Sequence, residues 1–143
     1  MSVSRATKTP WHNTRSRLRP SLIAQGKWNP ASGAAAVSEL LSRGETFSAL
    51  VASNDDMAIG AMKQLHERGI ATPDAVSVIG FDDVAIAPYI VPSLSSVRIP
   101  VTEMIKETIS RLIFLLDGGE FKYQQTFSGE LILRDSVIEG PHR

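Results

Sequence analysis

The sequence predicts an α/β fold built on a parallel sheet, and three observations carry that expectation. Short apolar runs alternate with segments whose apolar residues recur every third or fourth position, which is the order strand, helix, strand, helix, strand. Both helical segments stop at a glycine, Gly44 and Gly69, before the next apolar run begins. Hydrophobic residues make up 43% of the 143 and charged residues 21%, enough for a buried core. Strands linked in this way pair in parallel with right-handed crossovers.

The elements follow in order. Ser21–Gln25 reads as a short strand ended by Gly26. Asn29-Pro30 is a helix start, with Asn as cap and Pro at the first helical position. The helix itself, Ala31–Arg43, carries Ala36, Val37, Leu40 and Leu41 on one side. Phe47–Ala52 is an unbroken apolar run, expected as a strand buried on both faces. Asp55–Arg68 is the second helix, with Met57, Ala61, Met62 and Leu65 on a common face, and Val76–Ile79 is the third strand. Pro88 and Pro92 then interrupt the chain, and Leu94–Arg98 suits a fourth strand. Val101–Leu116 has the clearest helical pattern: Val101, Met104, Ile105, Ile109, Leu112, Ile113 and Leu116 oppose Lys106, Glu107, Ser110 and Arg111. Asp117-Gly118-Gly119 ends it, and Thr126–Leu133 alternates weakly, like an edge strand.

Charge separates a leader from the rest. Lys plus Arg and Asp plus Glu both total 15, so nothing global points to nucleic acid or an anionic membrane. Yet Arg5, Lys8, Arg15, Arg17 and Arg19 crowd the start, and the first acidic residue is Glu39. Residues 1–19 are therefore expected to be a basic leader, disordered or non-native, the alternative being a phosphate-binding arm. Residues 20–143 form the folded lobe. Cysteine is absent, which removes disulfides and thiolate chemistry. No apolar run reaches the roughly 18–20 residues of a membrane span, and the leader lacks the apolar core of a secretory signal. The expected location is cytoplasmic.

Parallel sheets bind ligands beyond the carboxyl ends of their strands, where loops converge. Three loops are expected there: one with Trp28, one with Ser53-Asn54-Asp55-Asp56, and one with Phe81-Asp82-Asp83. A polyhydroxylated ligand suits this set. An indole stacks on the C–H face of a sugar ring, while an amide and a carboxylate each take adjacent hydroxyls. A plainer reading stands beside it, in which Asp55 or Asp56 caps the following helix and Trp28 is a packed aromatic. The Asp pairs also raise Mg²⁺-dependent phosphoryl transfer. However, His12, His66 and His142 are scattered, and no HExxH, GxSxG or glycine-rich phosphate loop occurs. No enzyme activity, catalytic residue, metal site or cofactor is expected.

The string VASNDDMAIGAMKQLHERGIATPDAVSVIGFDDVAIAPYIVPSLSSVRIP, followed by IPVTEMIKETISRLIFLLDGG and FSGELILRDSV, resembles the effector-binding core of LacI/GalR transcription regulators. There one strand ends in N-D-x-M-A-x-G-A and the next in V-I-G-F-D-D, and the likeness runs from about Ile23 to Ser136. It implies a lobe of the periplasmic-binding-protein-like (type I) fold, incomplete here. It also implies a sugar or glycoside effector, the nearest likeness being to repressors of aryl-β-glucoside (arbutin, salicin, cellobiose) operons. Effector contacts carry over to Trp28, in its G-x-W-x-x-x-S-G context, to Asn54 and to Asp82. Ile99 stands where some sugar-binding members have a polar residue.

Further expectations follow from the resemblance. Family members begin with a helix-turn-helix, a hinge helix and a first effector lobe, and the pattern of these is not found here. DNA would therefore be bound only through that N-terminal domain, and the seam around residue 18 suggests a shifted frame or a truncated gene. The helix at about 101–117 would belong with the other lobe and expose its apolar stripe. A homodimer through the surface near Ala85–Pro92 is expected, with no membrane partner. A periplasmic sugar-binding protein, or an enzyme using Asp82 and Asp83, are the competing classes.

Overall fold

A computed structural model describes residues 19–120 and 124–140. The leader expected at 1–19 lies outside the described residues except for Arg19, which pairs with Glu45 at 3.2 Å.

Two helices form the covered layer. Helix α1 (Pro30–Ser42) starts as its sequence dictates, because Asn29 accepts the Ser32 amide while the Ser32 hydroxyl accepts the Asn29 amide. Helix α2 (Asp55–Glu67) is capped by Asn54, whose Oδ1 accepts the Met57 amide at 3.0 Å. The plainer reading that Asp55 or Asp56 caps this helix is thereby corrected. Both aspartates lie inside its first turn, where a negative charge still favours the helix dipole.

The sheet has four strands in spatial order: β1 (Ala49–Val51), β2 (Ser77–Asp82), β3 (Ser95–Arg98) and β4 (Glu130–Ile132). The first three run parallel, with Val51 beside Ile79 and Asp82 beside Arg98; β4 is antiparallel to β3 and closes the edge. The α/β class with a mostly parallel sheet is thus the observed architecture. Helices α1 and α2 cover one face, where Val37, Leu40, Ala58, Ala61, Leu65, Val78 and Leu94 are buried. The two helices cross closely, and a Cβ at Gly60 would run into the Pro30 backbone. Only glycine permits that approach.

Two expectations about strands fail. Ser21–Gln25 is not a strand: Pro20–Leu22 makes a 3-10 turn, and no pairing to β1 forms. Pro20 fixes the turn's first dihedral and has no amide to donate. The guanidinium of Arg43 then donates to the carbonyls of Ser21 and Ile23, at 2.9 and 2.8 Å, taking acceptors a neighbouring strand would use. With no strand beside it, β1 becomes an edge. Phe47–Ala52 is not buried on both faces either, because α1 and α2 cover only one face of the sheet, and Val51 is 77% exposed. Val51, Phe81 and Leu131 lie exposed on the sheet's uncovered face.

Helix α3 (Val101–Leu116) has the bounds its periodicity sets, yet none of its residues is buried. Val101, Ile105, Ile109, Leu112 and Leu116 are all exposed. Among the described residues no helix is long and apolar enough to cross a membrane.

Candidate ligand-binding site

The parallel register puts the ends of β1 and β2 side by side, so the loops after them open on the same edge. Asn54 stands at that edge as the cap of α2. Its Oδ1 is used by the helix, and its Nδ2 donates to the Trp28 carbonyl at 3.4 Å. The amide retains one N–H beyond this bond.

Trp28 reaches the edge without the strand expected before it. The loop is fixed from the other side, by the start of α1: the Lys27 amide donates to the Ser32 hydroxyl at 2.8 Å and Asn29 Nδ2 to the Lys27 carbonyl at 3.2 Å. Trp28 has φ +60, a left-handed conformation uncommon for a bulky residue. Its side is open to solvent, 68% exposed, so it is not a packed core aromatic.

Asp82 ends β2 with φ +115. Partial desolvation of its carboxyl, reinforced by the charges of Asp55 and Asp56, raises its pKa above the ordinary aspartate value. The end of β2 lies beside the N-terminal turn of α2, the turn that Asn54 caps: the Asp55 carboxylate of that turn accepts from the Val84 amide, two residues beyond Asp82, at 2.8 Å. Asn54 is thus bonded to the Trp28 loop, and Asp82 ends the strand next to β1 at the same edge, or lip, of the sheet.

Neighbouring Asp83 has the opposite fate. Burial alone would raise its pKa, but hydrogen bonds and charge from Arg134 and Arg98 outweigh burial and lower it. Arg134 Nη2 reaches its Oδ1 at 2.6 Å and Arg98 reaches its Oδ2 at 2.7 Å. Both oxygens are engaged by guanidinium groups, whose positive charge disfavours a cation shared with Asp82. Among the described residues, no group of three or more His, Cys, Asp or Glu is placed to hold a metal ion.

Asp55 is fully buried beneath the lip, accepting from Ser96 Oγ at 2.6 Å and from the Val84 amide at 2.8 Å. Of these supporting residues, Ser96, Arg98 and Arg134 were not singled out in the sequence, and Asp55 was read there as a possible helix cap rather than as a buried acid. The one available signal was a doubled Asp at a strand end, with an arginine ending the next strand.

The chain matches the family described as periplasmic binding protein-like domain over residues 12–137. It is 73% identical over 121 residues to the HTH-type transcriptional regulator AscG of Escherichia coli K12, covering 85% of this chain and 36% of AscG. To the HTH-type transcriptional regulator GalR of the same strain it is 38% identical over 117 residues, covering 81% of this chain and 34% of GalR. The crystal structure of the E. coli AscG repressor superposes with a TM-score of 0.79 at 67% identity, covering 90% of this chain and 47% of that one. A complex of the transcriptional regulator CelR with cellobiose gives a TM-score of 0.80 at 29% identity, covering 84% of this chain and 37% of that one. The chain spans about a third of the length of the curated relatives it matches.

Proposed function

Because the chain belongs to the periplasmic binding protein-like domain family and is homologous to LacI/GalR transcription regulators over their effector-binding portion, we propose that residues 20–143 are an effector-binding lobe whose lip takes a sugar or glycoside. The observation that carries this reading is the hydrogen bond from Asn54 to the Trp28 loop, which couples the helix cap to the exposed indole. The indole stacks on the apolar face of a pyranose, the free Asn54 N–H and the Asp82 carboxylate take neighbouring hydroxyls, and the α2 N-terminus lies behind them.

Within sugars, an aryl-β-glucoside such as arbutin or salicin, or the disaccharide cellobiose, is the assigned class. The resemblance in the sequence supports it, as does the likeness to CelR, which holds cellobiose. Ile99 lies on a shallow apolar groove with Val101, Met104 and Ile105, and brings no polar atom to a hydroxyl.

The remaining assignments concern partners. Helix α3 packs on the second lobe of the effector domain; its apolar stripe, wholly unburied in this chain, supports this. Self-association uses the surface near Ala85–Pro92, where Ile86, Tyr89 and Val91 are exposed beside a cavity of about 390 Å³ against α2. Effector binding then shifts an equilibrium between two arrangements of the lobes, and DNA is read by the helix-turn-helix of the regulator, in the cytoplasm. Similarity to regulators, rather than transport proteins, disfavours the periplasmic alternative. It disfavours an enzyme equally.

Titration of the chain, carrying Trp11→Phe, with arbutin, salicin and cellobiose tests the site. A saturable change in Trp28 fluorescence is expected, abolished by Asp82→Ala. An unchanging spectrum with all three glycosides would discard the assignment.

A further inference from the structure

We propose that Arg134 is a positioning residue for the ligand lip: through Asp83 it sets the turn that holds out the Asp82 carboxylate. This rests on the ligand-binding reading of Trp28, Asn54 and Asp82, and adds to it a residue from the far end of the chain.

The turn needs holding. Asp82 and Asp83 are consecutive residues with φ of +115 and +56, a region that side-chain-bearing residues rarely occupy. Local sequence does not explain this, because neither residue is glycine. The surroundings do. The Asp83 amide donates to Ser96 Oγ at 3.0 Å, Ser96 Oγ donates to Asp55 at 2.6 Å, and the Val84 amide donates to the other Asp55 oxygen at 2.8 Å. Asp55 and Ser96 are both fully buried. They pin the backbone that leaves the turn.

The side chain of Asp83 is pinned separately. It is 5% exposed and lies between Arg134 and Arg98. The two arginines are not equivalent. Arg98 is half exposed and also pairs with Glu130 at 3.4 Å. Arg134 is 14% exposed, and two further bonds fix it: Nη1 donates to the Leu94 carbonyl at 2.6 Å and its amide to Ser95 Oγ at 2.8 Å. Arg134 is thus anchored to the start of β3 before it meets Asp83. A planar guanidinium held in this way fixes the direction of the carboxylate it binds. Once Asp83 is turned inward and both its oxygens are occupied, its neighbour is left facing the α2 N-terminal turn.

The charges make the division useful. Asp83 is neutralised by the arginines, while Asp82 keeps its full capacity to accept hydroxyls. Arg134 acts through Asp83 and has no contact with a ligand of its own.

The test compares Arg134→Met, Arg134→Lys and Asp83→Asn with the parent chain. The ¹³C-carboxyl titration of Asp82 is read first, without ligand, and cellobiose affinity second. In the parent, Asp82 titrates above the ordinary aspartate range. In Arg134→Met, with the amide spectrum of β1 to β3 retained, its titration is expected to fall toward the ordinary value and cellobiose to bind about tenfold more weakly. Arg134→Lys, which keeps the charge without the planar fork, is expected to restore part of both. An Asp82 titration and affinity unmoved in Arg134→Met would overturn the proposal and leave Arg134 as a staple for the C-terminal segment. Should Arg134→Met not fold, Asp83→Asn is read by the same two measurements, since it keeps the amide bond to Ser96 and the side-chain volume. A parent chain that binds no cellobiose, while Arg134→Met still shifts Asp82, would discard the ligand reading and keep the clamp.

Discussion

Gly80 packs flat against the carboxylate of Asp55, with no space for a Cβ between them. At this point the strand and the helix behind it meet through a buried acid, which reaches both Ser96 and the Val84 amide. Gly80→Ala is expected to lower stability by about 1–3 kcal/mol, the usual cost of overpacking a close-fitted site. Urea unfolding checks it, and a variant as stable as the parent would show that the acid can shift freely.

Asn54 can be split into its two tasks. Asn54→Ala removes the cap and is expected to cost about 1 kcal/mol. Asn54→Asp keeps an oxygen for the Met57 amide and loses the donor to Trp28, so stability should hold while glycoside affinity falls. Equal loss of stability in both variants would show the tether to Trp28, rather than the cap, to be what stabilises α2.

The adjacent acids respond to pH in opposite senses. Asp83 has a lowered pKa, so its contribution is present above the unfolded value and is lost as pH falls through the folded one. Asp82 has a raised pKa, so its charged form opposes folding at neutral pH, and that opposition fades as pH falls through its folded value. At pH 7 Asp83→Asn should therefore destabilise and Asp82→Asn should stabilise slightly. Thermal melts at pH 7 and at pH 3 test this, and the two variants should converge at the lower pH.

Helix α3 exposes a continuous apolar stripe, which favours self-association. Ile105→Lys with Ile109→Glu is expected to reduce the mass seen by light scattering at high concentration and leave the melt of the α1–α2 core unchanged. A mass unaffected by the double substitution would place the association on another surface.

The helices were legible because each repeats one instruction many times. Seven apolar residues at helical spacing set the bounds of α3 even though none of its residues is buried. Asn29-Pro30 announces its helix by chemistry that acts within three residues, whereas the cap of α2 is Asn54 and not Asp55 or Asp56 as the sequence suggested. The failed strand at Ser21–Gln25 shows the reverse: its fate was decided by Arg43, which periodicity does not connect to it. Asn54 and Asp82 follow strands whose direction was readable, whereas Trp28 is held at the edge by the start of α1 and not by the strand expected before it. The support of these residues was not readable, since Asp55 meets Ser96 and Asp83 meets Arg134 across 41 and 51 positions of chain. A buried acid and an exposed one look the same in a run of Asn54-Asp55-Asp56.

The side chain of Arg43 leaves its mark on a place it never touches. By engaging the carbonyls of Ser21 and Ile23 it keeps that segment out of the sheet, so that among the described residues Ala49–Val51 is an edge strand paired on one side only, with no lysine or proline within it to discourage a newcomer. Crowded copies of the chain can then lengthen one another's sheets edge to edge, so that storage and refolding become contests between dilution and fibre-like growth.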